Sequence, residues 1–225
     1  MSATVVTPEQ LEIVKNRARS VAEMFYNRVK ESPNHEAYRF PDENEQWHSL
    51  TWAETGEKVT RLGAGLVSLG IEAEQRVAIA SGTRVEWILA DLAINAAGGA
   101  TTTVYPSTMS DDVAYILADS DSRIVFAEDD EQVGKLREKH SELPSITKVV
   151  VFDGTTDGDW VIGLDDLEAL GEKYLADHPS IIEERVAATT GDSLATLIYT
   201  SGTTGRPKGV RLSNDGWTYE GAVMV

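Results

Sequence analysis

The 225-residue sequence contains no cysteine, which excludes disulfide bonds, thiolate catalysis and zinc sites ligated by cysteine. It also has no apolar run of about 18 residues or more, so we expect no transmembrane helix. Residues 1–20 lack the apolar segment of a secretory signal peptide. We therefore expect a cytoplasmic protein.

Basic residues are scarce, because 20 lysines and arginines stand against 37 acidic residues and the net charge is −17. A polyanion such as DNA or RNA would be repelled on average, which argues against a nucleic-acid partner. A small phosphate-bearing ligand can still bind where a local group of N–H donors and cations surrounds it.

Helix start signals recur in the first third of the chain. Thr7, Ser20 and Thr51 each precede a glutamate or glutamine by three residues, which is the pattern of a capping box. Residues 8–31 are consistent with one long helix or two short ones. We expect Gly70 to end the helix that follows Thr51.

Strand and helix signals alternate from residue 76 onward. Short apolar or β-branched runs predict strands at 76–80, 101–105, 124–127, 148–152 and 194–198. Helical patterns separate them at about 83–97, 110–118, 130–141 and 164–176. We expect Thr83 to cap the first of these helices. The alternation predicts an α/β fold, with a mostly parallel sheet and helices on both faces.

Metal ligation has little support in the sequence. Acids alternate with glycine in residues 153–159, but the segment lacks the register and the closing glutamate of an EF-hand, so we interpret it as a surface loop. The four histidines lie in polar contexts without the spacing of metal ligands, and we expect them at the surface: His35, His48, His140 and His178.

The most informative segment is YTSGTTGRPKGV at residues 199–210. Its glycines allow backbone N–H groups to turn inward, its hydroxyl groups donate further hydrogen bonds, and Lys208 adds a positive charge. A tight hairpin turn would need only roughly two to five residues. Residues 201–209 are nine, so we favour anion binding over a simple turn.

The segment differs from a Walker A loop, in which a hydroxyl residue follows the lysine and a helix follows the loop. Here Gly209 follows Lys208, and residues 210–212 are predicted to form a strand. The segment is therefore predicted to form a strand–loop–strand arrangement. Loop amides, hydroxyl groups and the lysine would hold phosphate in it, with little contribution from a helix dipole.

This segment resembles the signature loop of the adenylate-forming enzymes, which include acyl-CoA synthetases, the adenylation domains of peptide synthetases, and luciferases. Other parts of the chain resemble further elements of that family, so that the likeness covers roughly residues 20–217: residues 47–54, 69–79, 86–106 and 114–120. Glu86-Trp87 and residues 103–107 are most similar to the long-chain fatty acyl-CoA synthetases.

The resemblance implies a two-step reaction. A carboxylate attacks the α-phosphate of Mg-ATP to give an acyl-adenylate and pyrophosphate, and the thiol of CoA then displaces AMP. ATP, Mg²⁺, CoA and a fatty acid are therefore the implied ligands. By resemblance, Lys208 is the catalytic residue that neutralises the leaving pyrophosphate, and the Thr200 hydroxyl helps to hold Mg²⁺ or a phosphate oxygen. The residues implied to wrap the phosphates are Ser201, Gly202, Thr203, Thr204 and Gly205.

The second nucleotide motif of the family, tyrosine-glycine-x-threonine-glutamate, does not occur in this sequence. We therefore expect residues 1–225 to be a single incomplete N-terminal domain, without the C-terminal domain and without activity alone. Residues 190–192 mimic the ribose-binding tripeptide but precede the loop, so we interpret them as a turn. Beyond the loop, we expect Asn214 or Asp215 to cap a helix.

Two alternatives remain open: an adenylation domain that loads a carrier protein, and a non-catalytic module that binds phosphate or a nucleotide. An exposed sheet edge and the apolar residues 222–225 could also pair two copies of the fragment as a dimer. We expect Trp87, Tyr105 and Tyr115 to be core or interface aromatics rather than substrate contacts.

Overall fold

A seven-stranded sheet covered by helices on both faces forms the centre of the computed structural model, which describes residues 7–42, 44–200 and 205–224. The helices are α1 Pro8–Lys15, α2 Val21–Glu31, α3 Trp52–Ser68, α4 Val85–Ala96, α5 Ser110–Asp119, α6 Asp130–Glu138, α7 Leu164–Asp177, α8 Ile181–Ala188 and α9 Asn214–Val223. The strands are β1 Glu36–Pro41, β2 Trp47–Thr51, β3 Arg76–Ala80, β4 Ala100–Val104, β5 Ser122–Asp129, β6 Lys148–Asp153, β7 Val161–Gly163, β8 Leu194–Thr200 and β9 Lys208–Ser213.

The strand order of the large sheet is β7-β6-β5-β3-β4-β8-β9. Neighbouring strands are parallel from β7 through β8, and β9 runs antiparallel to β8 at one edge. The predicted α/β fold with a mostly parallel sheet is therefore confirmed. Strands β1 and β2 form a separate antiparallel hairpin.

The central strands are buried on both faces, as expected for a parallel sheet between two layers of helices. Val77 and Ile79 of β3 point to a core shared with α2, α3, α4 and α7. Ala78 and Ala80 of the same strand point to a second core shared with α5 and α6. The alternation along β3 thus divides the interior into two apolar layers.

Several predicted helix ends are confirmed. The Thr51 side chain accepts a hydrogen bond from the Glu54 amide, and the Glu54 carboxylate accepts one from the Thr51 amide, which completes the capping box. Ser20 caps α2, so residues 8–31 form two helices rather than one. Gly70 has φ +92° and follows α3, where its amide donates to the Val67 carbonyl.

Two predicted caps are wrong. The N-cap of α4 is Arg84 rather than Thr83, and no side-chain hydrogen bond caps the helix there. The N-cap of α9 is Ser213, whose hydroxyl accepts from the Gly216 amide, rather than Asn214 or Asp215. Asn214 is buried, accepts from the Val21 amide and donates to a carbonyl in the turn before β8, so its side chain joins distant segments instead.

Candidate phosphate-binding site

The glycine-rich segment lies at the carboxyl edge of the parallel sheet. β8 ends at Thr200 beside β4, and β9 begins at Lys208 and returns along β8. The predicted strand–loop–strand arrangement is therefore confirmed for the two flanking strands. Ligands of open α/β sheets bind at this edge, because the connecting loops converge there.

Thr200 and Lys208 are paired directly across the antiparallel ladder of β8 and β9. Opposed residues of such a ladder place their side chains on the same face of the sheet. Both residues are exposed. A hydroxyl group and an ammonium group therefore emerge together at the base of the loop.

The other predicted phosphate ligands lie mostly outside the described residues: Ser201, Gly202, Thr203 and Thr204. Gly205 is described and has φ +103°. A Cβ at this position would meet no atom within 4 Å, so the backbone conformation rather than crowding favours glycine here.

Three cations follow the loop closely: Arg206, Lys208 and Arg211. All three are exposed, and within residues 7–42, 44–200 and 205–224 no carboxylate forms an ion pair with them. Among the described residues, ten of the other 17 lysines and arginines do form an ion pair with a carboxylate. This edge is therefore locally positive in a chain of net charge −17, as phosphate binding requires.

Tyr199 anchors the strand that enters the loop. Its ring is buried, and its hydroxyl donates a 2.7 Å hydrogen bond to Oδ2 of Asp119 on α5. Burial, followed by the hydrogen bond to Asp119 and then by the charge of that carboxylate, raises the Tyr199 pKa well above its ordinary value, so the phenol stays protonated as a donor. A Cβ on Gly209 would lie 3.1 Å from the Tyr199 ring, so glycine lets β9 approach this ring closely.

Arg206 anchors the segment that leaves the loop. Its guanidinium lies 5.0 Å from the ring centroid of Tyr115, which also belongs to α5. Neither this contact nor the bond between Tyr199 and Asp119 was predicted from the sequence. The signal available there was the spacing of Tyr115 and Asp119, four residues apart. This spacing places both on one face once the helix predicted at about 110–118 extends by one residue, as the observed helix does.

The predicted role of core or interface aromatic is confirmed for Trp87 and Tyr115, whereas Tyr105 does not belong to the core and its place in an interface stays a prediction. Trp87 is partly buried against the first core, and Tyr115 packs against the second. Tyr105 is 70% exposed, because it directly follows β4 where the chain leaves the sheet.

The segment 153–159 is a surface loop, as predicted. Asp157 accepts hydrogen bonds from the amides of Val161 and Asp159 and pairs with Arg137, and these contacts lower its pKa to about 2. The carboxylate is thus occupied in closing the loop. Among residues 7–42, 44–200 and 205–224 no three acidic, histidine or cysteine side chains are grouped as metal ligands.

The remaining polar predictions are also confirmed. The four histidines are exposed. The Ser193 amide donates to the Thr190 carbonyl, which closes a turn over residues 190–193.

Every helix in the described part of the chain is too short or too polar to span a lipid bilayer.

Comparison with known proteins gives a consistent result. The sequence profile of the family described as AMP-binding enzyme matches residues 25–224. The long-chain-fatty-acid–CoA ligases FadD15 of Mycobacterium bovis and Mycobacterium tuberculosis are each 33% identical over 201 residues, covering 89% of this chain and 32% of the relative. The chain thus spans about a third of the length of these curated relatives.

Solved structures share the fold. The anthranilate CoA ligase AuaEII, in complex with anthranoyl-AMP, matches with a TM-score of 0.73 at 19% identity, covering 88% of this chain and 35% of that one. The N-terminal domain of FACL13 from Mycobacterium tuberculosis matches with a TM-score of 0.68 at 24% identity, covering 87% and 44%. At these identities the likeness concerns the fold, and it agrees with the parallel sheet described above.

Proposed function

Since the chain belongs to the AMP-binding enzyme family, we propose that it is the N-terminal part of an ATP-dependent, AMP-forming fatty acid–CoA ligase. The observation that carries the proposal is the opposed pair of Thr200 and Lys208 at the base of the glycine-rich loop. The identity to long-chain-fatty-acid–CoA ligases supports the choice of substrate. Residues 1–225 are proposed to form the first part of one large domain.

The proposed reaction begins when a fatty-acid carboxylate oxygen attacks the α-phosphorus of ATP. The bond from that phosphorus to the bridging oxygen breaks, and pyrophosphate leaves. In the second step the sulfur of CoA attacks the acyl carbon and AMP leaves. Both steps displace anions, so donors fixed in place beforehand lower the barrier. We assign Lys208 to the charge that develops on the leaving pyrophosphate, and residues 201–205 to its oxygens.

Mg²⁺ would contribute charge neutralisation at the phosphates. The ion prefers oxygen ligands and retains waters, so the Thr200 hydroxyl and phosphate oxygens form a compatible donor set. The exposure of Thr200 beside Lys208 agrees with this assignment, since both groups face the same space. Among the described residues, no cluster of three or more Asp, Glu, His or Cys side chains could hold the ion without phosphate ligands.

The test is ATP–pyrophosphate exchange with a panel of fatty acids. We expect the 225-residue chain to be inactive and the longer protein that contains it to exchange with long-chain acids. Lys208→Ala in the longer protein should slow exchange by about 10²-fold, because one preorganised donor is lost. Lys173→Ala, at an exposed lysine on α7, is the matched control and should retain full activity.

The outcomes separate the alternatives. Robust ATP–pyrophosphate exchange by the 225-residue chain would show that residues 1–225 suffice for adenylate formation. Near-wild-type exchange by Lys208→Ala would remove the role assigned to this lysine. Acyl transfer to a carrier-protein thiol but not to CoA would favour a carrier-loading domain, and binding of ATP by a longer protein without exchange would favour a non-catalytic module.

We further propose that the 225-residue chain self-associates along β9. In the described part of the chain β9 pairs with β8 on one side and lies at the edge of the sheet. Val223 and Met224 near the end of α9 are 51% and 72% exposed. Val225, the last residue of the predicted contact, lies outside the described residues. The cytoplasmic location stays a prediction.

A further inference from the structure

One face of α5 touches both ends of the glycine-rich loop. Tyr115 and Asp119 are four residues apart and therefore lie on the same side of the helix. Asp119 binds Tyr199, two residues before the loop begins at residue 201. Tyr115 lies under Arg206, which is near the end of the loop. We call these four residues the loop clamp.

The contact on the entry side has two parts. The phenol of Tyr199 donates to Oδ2 of Asp119 at 2.7 Å, and a hydrogen bond to an ionised acceptor is stronger than a neutral one. The Tyr199 ring also supports β9, since Gly209 lies directly against it and pairs with it across the ladder. Tyr199 therefore connects α5 to both strands of the loop stem.

The contact on the exit side is a cation stacked on a ring. The distance of 5.0 Å from the Arg206 guanidinium carbon to the Tyr115 centroid is within the roughly 6 Å range of this interaction. Arg206 is exposed and is free of ion pairs among the described residues. Its charge therefore remains available to a phosphate while the ring restrains its side chain.

The helix that carries the clamp is itself fixed in the fold. Val113, Ile116 and Leu117 of α5 are buried in the second core. Arg76 of β3 donates from Nε to the Ser120 carbonyl at the end of the helix, and from Nη2 to Asp121 at 3.0 Å. Movement of α5 would break these contacts, so the clamp rests on a rigid support.

We propose that α5 positions the phosphate loop by holding both of its ends, with Tyr115, Asp119 and Tyr199 as positioning residues. The role in catalysis rests on the proposed function, whereas the restraint on the loop ends does not. Holding the ends reduces the conformational entropy that phosphate binding must remove. Loss of the clamp should therefore weaken nucleotide binding more than it slows the chemical step.

The experiment compares two readouts in the 225-residue chain: amide hydrogen exchange at Thr200, Lys208 and Gly209 without ligand, and the Kd for MgATP. Tyr199→Phe removes the hydroxyl bond and Tyr115→Leu removes the ring. Tyr115→Phe restores the ring and serves as the rescue variant.

Matched controls remove similar contacts elsewhere. Tyr26→Phe loses a 2.8 Å hydroxyl bond to Thr60 on α3. Trp47→Leu loses the stack with Arg39, whose guanidinium carbon lies 5.6 Å from that ring. Both controls report the general effect of losing such a contact on stability.

We expect Tyr199→Phe and Tyr115→Leu each to speed exchange at the loop ends and to raise the MgATP Kd by roughly 3- to 10-fold, as the loss of one modest interaction would. Tyr115→Phe and both controls should stay within about 2-fold of wild type in both readouts. In the longer protein the KM for ATP should rise while kcat changes little.

Other results would overturn the proposal. Unchanged exchange at the loop ends in Tyr199→Phe and Tyr115→Leu would show that α5 does not hold them. Equal effects in the two controls would show general destabilisation instead. If the wild-type chain binds no MgATP, amide hydrogen exchange alone decides whether α5 holds the loop ends, and the MgATP affinities are compared in the longer protein. Absence of MgATP binding there as well would count against the phosphate assignment, not against the clamp. If Tyr115→Leu does not fold, the decision passes to Tyr199→Phe and Asp119→Leu.

Discussion

The carboxyl group of Asp91 on α4 lies in surroundings that favour its neutral form. Its Oδ1 accepts a 2.6 Å hydrogen bond from the Thr101 hydroxyl, and the Asn95 amide nitrogen lies 3.4 Å away. Burial raises the Asp91 pKa to about 6, although the bond from Thr101 opposes the shift. The pKa of Tyr38 is raised by burial of its phenol and, to a smaller extent, by the negative charge of Asp91. We find no place for this carboxyl group in the proposed chemistry.

Asp91 should make stability depend on pH in a definite direction. Because the folded pKa of about 6 exceeds the ordinary value of an aspartate, the folded state binds the proton more tightly than the unfolded state. Stability therefore falls as the pH rises from the ordinary aspartate pKa to the folded pKa of about 6. The side chain of Asp91→Asn cannot ionise, so the variant does not lose this stability. Its free energy of unfolding minus that of wild type should be about 1 kcal/mol higher at pH 8 than at pH 5. Urea unfolding at both pH values measures this difference.

The control for this prediction is Asp111→Asn. Lys139 lowers the pKa of this exposed carboxyl, so Asp111 stays ionised at both pH values. Its substitution should change stability equally at pH 5 and pH 8. An Asp91→Asn effect that is likewise independent of pH would contradict the raised pKa.

At the level of elements, α3 and α7 approach closely because glycines lie at their crossing. A Cβ on Gly171 would overlap the Arg61 carbonyl oxygen, and one on Gly65 would overlap the carbonyl oxygen of Leu167. Backbone atoms cannot move aside without separating the helices. The contact therefore depends on the absence of side chains at these two positions.

Gly171→Ala should lower the free energy of unfolding by about 2–4 kcal/mol, since overpacking displaces a whole helix. Gly134→Ala is the matched control, because Gly134 is an exposed glycine of α6 and a Cβ there meets no atom within 4 Å. That change should raise stability by about 0.5–1 kcal/mol through helix propensity. Chemical denaturation measures the free energy of unfolding of both variants. An equal change in the two would contradict the close approach of α3 and α7 at Gly171.

The order of strands and helices was predictable, because apolar runs and capping patterns are local features. The caps at Ser20 and Thr51 follow from such patterns and are confirmed. The cap of α9 was misplaced by one residue, because Ser213 and Asn214 are both good caps locally. Only the folded chain shows that Asn214 bonds to Val21, 193 residues away.

The candidate site was predictable only in its local part. Thr200, Gly205 and Lys208 stand within one motif, and the structure describes the first and last as a cross-strand pair. The contact of Tyr199 with Asp119 joins residues 80 apart in sequence. A single sequence offers no pairing signal over that distance, so α5 could not be linked to the loop.

At the level of the whole molecule, the edge strand β9 predicts concentration-dependent association. An unpaired row of backbone donors and acceptors favours pairing with a second copy. Val210→Lys adds charge to β9 at a position that is 45% exposed, and should shift the chain toward the monomer. Sedimentation over a range of concentrations measures this, with Lys173→Ala as a surface control. A wild-type chain that is monomeric throughout would refute the contact.

The strand order also sets a sequence of events during synthesis. β4 pairs on one side with β3, whereas its other partner, β8, begins about 90 residues after β4 ends. At a translation rate of roughly 5–20 residues per second, this edge waits on the order of 5–20 s for its neighbour. A growing chain on the ribosome therefore displays Thr101–Thr103 to chaperones and to neighbouring nascent chains until Thr196–Ile198 emerges and closes the sheet.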